Sequence, residues 1–119
     1  AAGSRDEMVS RAMDYLLATQ NEDGGFPYQP GAESDANSTA LGLQALIALN
    51  DPVNAEAQAN AETALLGLQN ESGAFSYMAS VPDDNAFATV QAIPALAGIA
   101  FPMTEEAVTE SSVDPTPAG

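Results

Sequence analysis

The 119-residue chain contains no cysteine, histidine, tryptophan or lysine. Without cysteine it can form no disulfide, no thiolate zinc site and no thiol nucleophile. Without histidine it lacks the commonest general base and metal ligand. Its only bases are Arg5 and Arg11. They stand against 17 acids, for a formal net charge of −15 at pH 7. Nucleic-acid binding needs a basic stripe that displaces counterions, and an anionic membrane surface needs the same; this composition excludes both. No apolar run approaches the length that crosses a bilayer. The acids read as a solvated surface that keeps the chain soluble. A salty habitat, divalent-ion binding and a basic partner are the sharper alternatives.

What is present is apolar and small. The hydrophobic fraction is 45%, enough for a core. Much of it is alanine, which favours helix and close helix–helix approach but buries little area per residue. A thin, helical core is expected.

The sequence repeats. Leu16-Leu17 and Gln20-Asn21-Glu22 lie over Leu65-Leu66 and Gln69-Asn70-Glu71. In the same register Gly24, Phe26 and Tyr28 lie over Gly73, Phe75 and Tyr77, at an offset of 49. Thr39, Ala45 and Leu46 then lie over Thr89, Ala95 and Leu96 at an offset of 50, so the second copy carries one extra loop residue. Internal periods near this length mark stacked supersecondary units.

Each copy reads as two helices. In the first, Ser4-Arg5-Asp6-Glu7 forms a capping box, and Met8, Val9, Ala12, Met13, Leu16 and Leu17 follow at helical spacing. Asn21 to Gly25 should end that helix, through a glycine in the left-handed region. A second helix from about Ser38 to Leu49 carries no charge and should be buried, with Asp51-Pro52 as its stop. In the second copy, helices are expected over about Ala55–Gln69 and Ala86–Gly98, with Pro94 kinking or loosening the latter. Gly42 and Gly98 read as close-packing points. The expected fold class is therefore all-α: tandem αα-hairpins at about 5–50 and 54–102, with four main helices. Residues 103–119 read as an acidic Pro/Ser/Thr tail or linker. Two hairpins leave both end faces of such a stack open, and stacks usually need about three units. Further hairpins, or another chain, are expected to complete it.

These residues resemble the prenyltransferase and squalene-cyclase repeat of the α/α-toroid proteins. The resemblance spans roughly residues 5 to 102. It rests on Gln20 with Gly24-Gly25-Phe26, and on Gln69 with Gly73-Ala74-Phe75. It implies a partial α/α toroid in which Gln20, Gly24, Gly25, Phe26, Gln69, Gly73 and Phe75 are structural. The glutamine should bond backbone of the adjacent hairpin, and the ring should pack under the turn. Family members cyclise terpenes, prenylate proteins, carry thioesters or bind cobalamin. The cyclase acid motif would fall on Asp35-Ala36-Asn37-Ser38-Thr39-Ala40, where Asn37 takes the acid's place; in the second copy Phe87 does. An amide cannot donate the proton that starts cyclisation. The cysteine and histidine needed for prenylation zinc and for a thioester are absent. Phe26 and Phe75 stand where cyclases often have tryptophan.

The expected function is therefore a non-catalytic binding or assembly module of an extracytoplasmic or secreted protein, at the cell surface in some forms, built from the last two hairpins of a toroid. That location rests on the resemblance. A fragment of a terpene-cyclase-like enzyme whose acid lies elsewhere is one alternative. A subunit that self-assembles through open hairpin faces into rings or filaments is another. A ligand site would draw on Tyr28, Asp35, Asn37, Tyr77, Asp84, Asn85 and Phe87. Asp83-Asp84-Asn85 reads first as helix capping and only second as a calcium rim. No metal site and no catalytic residue is expected. Calcium or a cobalamin-like ligand is the cofactor alternative to none. The expected partner is a protein, or identical copies, completing the stack.

Overall fold

The computed structural model describes residues 3–99. Helix α1 spans Arg5–Thr19, α2 Ala36–Leu49, α3 Ala55–Leu66 and α4 Ala86–Leu96; a single 3-10 turn, Pro52–Asn54, joins α2 to α3. The expected tail at 103–119, and the end of the second hairpin at 100–102, lie outside the described residues.

The caps explain where the helices begin. Ser4 Oγ accepts from Glu7 N at 3.1 Å, one half of the capping box. Asp35 accepts from Ser38 N at 2.7 Å and Asn85 from Ala88 N at 2.8 Å. These caps start α2 at Ala36, two residues before the sequence-based boundary. α3 ends at Leu66 rather than Gln69, because Leu68 and Gln69 turn back through bonds from their N–H groups to Leu65 O and Leu66 O.

α1 ends differently from expectation. Its cap, Gln20, is extended rather than left-handed. Gly24 does have positive φ, +91°, but it closes the following turn, in which Gly24 N donates to Asn21 O and Asn21 N to Gly25 O. The left-handed C-terminal glycine is instead Gly98, φ +82°. Ile99 N reaches back to Pro94 O and Gly98 N to Ala95 O, which is a Schellman closure. Gly98 is thus not a packing point, and a Cβ there would meet nothing within 4 Å. Pro94 sits in the last turn of α4, which runs on to Leu96.

The fold is mostly helical but not all-α. Phe75–Met78 (β1) and Val81–Asn85 (β2) pair antiparallel, Phe75 opposite Asn85 and Ser76 opposite Asp84. The first copy has no such hairpin, and its contact to the preceding helix end also differs. Ser76 N donates to Leu68 O at 2.9 Å; its counterpart is Pro27, which has no N–H to donate.

α2 is the centre. It packs against both α3 and α4, and Ala36, Ala40, Leu43 and Leu46 are buried on it. α1 contributes only Met13 to the fully buried set, with Leu16 and Leu17 packed at its margin. The two uncharged helices therefore lie side by side, with the charged α1 and α3 largely outside. Under α2 the Phe26 ring lies tight against Gly42, where a Cβ would stand 2.5 Å from it.

Candidate functional site

Each copy builds its loop with the same polar frame. Phe26 N donates to Thr39 Oγ1 at 2.9 Å and Phe75 N to Thr89 Oγ1 at 2.8 Å. Gln20 Nε2 donates to Gly24 O and Gln69 Nε2 to Gly73 O. Asn21 Nδ2 donates to Ala32 O and Ser34 Oγ; Asn70 Nδ2 donates to Pro82 O and Asp84 Oδ1.

One pair of residues has exchanged places between the copies. In the first, Ser34 Oγ donates to Asp23 Oδ1, which also accepts from Gly25 N, both at 2.8 Å. In the second, Ser72 Oγ donates to Asp84 Oδ1 at 2.9 Å and accepts from Ala74 N. The acid has moved across the loop and the hydroxyl has moved back. This accounts for Asp84 as a brace of its own loop. The sequence does not single out Ser34, and marks Asp23 only within the Asn21–Gly25 turn, because their columns align with residues of a different type.

The residues expected around a ligand gather at one end of the inner pair of helices. Asp35 and Asn85 are the caps of α2 and α4. Asp35 also bridges to Met78, which joins the first loop to β1. Ser80 strengthens that junction by donating from N and Oγ to the Glu33 carboxylate, at 3.0 and 2.7 Å. Tyr77 is half-buried between these parts, whereas Tyr28 and Phe87 are exposed. The second carboxylate oxygen of Asp35 and the Asn37 side-chain oxygen are buried without a hydrogen-bond partner among the described residues. One groove of about 460 Å³ runs along α1 and reaches Arg5, Asp14 and Asn54, and another of about 410 Å³ lies between Asn50 and Glu62 at the start of α3.

Tyr77 carries the resolved electrostatic signature of this end. The Asp35 carboxylate, then partial burial, then Tyr28 raise its phenol above the ordinary 10.0. Deprotonation is therefore disfavoured in the folded chain. The resulting stability is complete below pH about 10 and is lost as pH rises through the raised value. We expect the melting temperature to fall on alkaline titration, and Asp35→Asn, which keeps a helix cap, to lessen the fall. An alkaline limb unchanged in both Asp35→Asn and Tyr77→Phe would refute the coupling.

The glutamines differ between the copies. Gln20 Nε2 makes a second bond, 3.1 Å, to Ala57 O on α3, and so ties the hairpins together. Gln69 is exposed and its side-chain nitrogen bonds only within its own turn. Gln20→Ala should cost about 1–2 kcal/mol, the scale of a partly buried hydrogen bond and its unpaired acceptor. Gln69→Ala should cost clearly less in the dilute chain. Urea melts of the two variants make the comparison, and equal losses would contradict it.

Among the described residues there is no group of three or more metal-ligating acids, histidines or cysteines, and no helix is long and apolar enough to cross a membrane. The chain matches no protein-family model, no curated protein and no solved structure.

Proposed function

We propose that the chain is a non-catalytic binding or assembly module of an extracytoplasmic protein, an arc of an α/α toroid that works by presenting its hairpin faces. The observation that carries this reading is on α4. Phe87, Val90 and Ile93 are 63%, 63% and 59% exposed and lie on one side of the helix at i, i+3 and i+6. On α2 the positions equivalent to Val90 and Ile93 are Ala40 and Leu43, which are buried. An apolar stripe whose repeat counterpart is covered is a contact surface. The unprotonatable Asn37 and the capping roles of Asp35 and Asn85 favour recognition over chemistry. The location outside the cytoplasm rests on the family resemblance alone.

Hydroxyl-radical footprinting tests the reading. Phe87 and Ile93 should label less in the protein within its native extract than in the purified chain at high dilution, with exposed Tyr15 as internal reference. Equal labelling in both states would show that nothing covers the face, and would remove the proposal.

A further inference from the structure

The contact between the two hairpins inside the chain is a template for a contact that the chain could make again. On its giving side, the first hairpin offers Gln20, which reaches Ala57 O, and Gly24, which abuts the Asn60 backbone. It also offers Ala40 and Leu43, both buried on α2. The second hairpin carries the same set in register: Gln69, Gly73, Val90 and Ile93. There the set is open. Gln69 and Gly73 are exposed, a Cβ on Gly73 would meet nothing within 4 Å, and Val90 and Ile93 lie out of the core.

The receiving side repeats as well. The second hairpin receives through Ala57, Asn60, Ala61 and Leu65, the last two fully buried. Their counterparts on α1 are Met8, Arg11, Ala12 and Leu16. Met8, Arg11 and Ala12 are exposed and Leu16 is half-buried. Ala12 and Leu16, with Ala45, Ala48 and Leu49 of α2, line an apolar groove of about 270 Å³.

Charge agrees with shape. The chain's two cations, Arg5 and Arg11, are both on the receiving helix. Arg5 corresponds to the buried Asn54, and Arg11 to Asn60, whose backbone lies against Gly24. The turn that would meet Arg11 contains Glu71 beside Gly73. In a chain of net charge −15, that is the one face where an acidic turn gains a partner.

We propose that the second hairpin of one copy docks on the α1–α2 face of a second copy, head to tail, repeating the in-chain contact. Gln69 then donates to the Met8 carbonyl, Gly73 abuts the Arg11 backbone, and Val90 and Ile93 are buried. The contact joins different patches, so it propagates into a ring where the rotation closes and a filament where it does not. This rests on the reading of the α4 stripe as a contact surface and names its occupant.

Sedimentation velocity of the full chain, at about 150 mM salt where the Debye length is about 8 Å, tests it. The wild type should associate with rising concentration. Ile93→Asp on one face and Ala12→Asp on the other should each weaken association at least about tenfold, the scale of a lost apolar anchor. Both positions are exposed, so circular dichroism should show an intact fold; Val90→Asp replaces Ile93→Asp if it does not. Mixing the two variants should give a heterodimer that grows no further, since each retains one sound face and those two faces match. A wild type monomeric throughout overturns the proposal, as do variants that assemble normally or a mixture that stays monomeric. A monomeric wild type with Phe87 and Ile93 still protected in the native extract would refute the second copy while leaving the contact surface standing.

Discussion

Phe26→Ala is expected to remove about 3–5 kcal/mol of stability, the range for deleting a fully buried aromatic ring. Phe26 is 1% exposed. Its ring lies under α2, so close to Gly42 that a Cβ there would stand 2.5 Å from it. Its backbone is fixed at both ends, since its N–H donates to Thr39 and its carbonyl accepts from Asp35 N. A domain of this size is stabilised by about 5–15 kcal/mol in total, and its alanine-rich core has few other large side chains. The variant should therefore melt at least about 12 °C lower, at about 4–8 °C per kcal/mol. Gly42→Ala should also destabilise, by about 1–3 kcal/mol through overpacking, although alanine is the better helix former by about 1 kcal/mol. In a Phe26→Leu background that sign should reverse, because the ring is what excludes the methyl. The second copy already has the permissive arrangement, with Ala92 at the position of Gly42. Urea unfolding of the four chains decides the matter. A Gly42→Ala chain that is stabilised while Phe26 is intact would refute the packing account.

The repeat and its helices were legible because they rest on local signals. Ser4, Asp35 and Asn85 are side chains that cap the helices they precede, and the uncharged runs that follow Asp35 and Asn85 mark the inner pair. Gln20 and Phe26 could be placed because two copies agree on them. The β1–β2 hairpin was not legible. Four residues of β1 are too short for alternation to stand out. Thr39 and Thr89 aligned in register, yet their role needs the loop conformation that brings Phe26 N and Phe75 N to their hydroxyls. The grouping of Asp35, Tyr77 and Tyr28 was equally hidden, since a bridge between Asp35 and Met78 creates it across the two copies.

The ligand expectation changes most under these contacts. Asp84 and Asn85 are consumed by their own loop and helix, and so is one oxygen of Asp35. The open apolar features are the α4 stripe and the groove of about 270 Å³ between α1 and α2. A surface composed in this way discriminates by shape and burial, with Arg5 and Arg11 supplying orientation. With 17 acids against two bases, most wrong contacts would bring like charges together.

The exchanged pair allows the repeat itself to be tested. Asp23→Ser leaves Gly25 N and Ser34 Oγ without a carboxylate, and should cost about 1–3 kcal/mol, the range for hydrogen bonds to a charged group. Ser34→Asp is expected to be worse. It sets a second carboxylate against Asp23 at a position only 8% exposed, where the new charge is poorly solvated and the repulsion poorly screened. The chain carrying both changes should recover most of the combined loss. Asn21 Nδ2 would then donate to the new acid at 34, the new hydroxyl at 23 would donate to it as well, and Gly25 N would bond that hydroxyl. Asn70, Ser72, Asp84 and Ala74 already make this set of contacts. A double-mutant cycle should return a coupling of about 1–3 kcal/mol in favour of the exchanged pair. Additive losses would mean that the two loops reach their shared shape by different means. Recovery would establish that one frame, with acid and hydroxyl free to trade sides, holds both turns, including the one from which Gln20 reaches Ala57 O on the next hairpin.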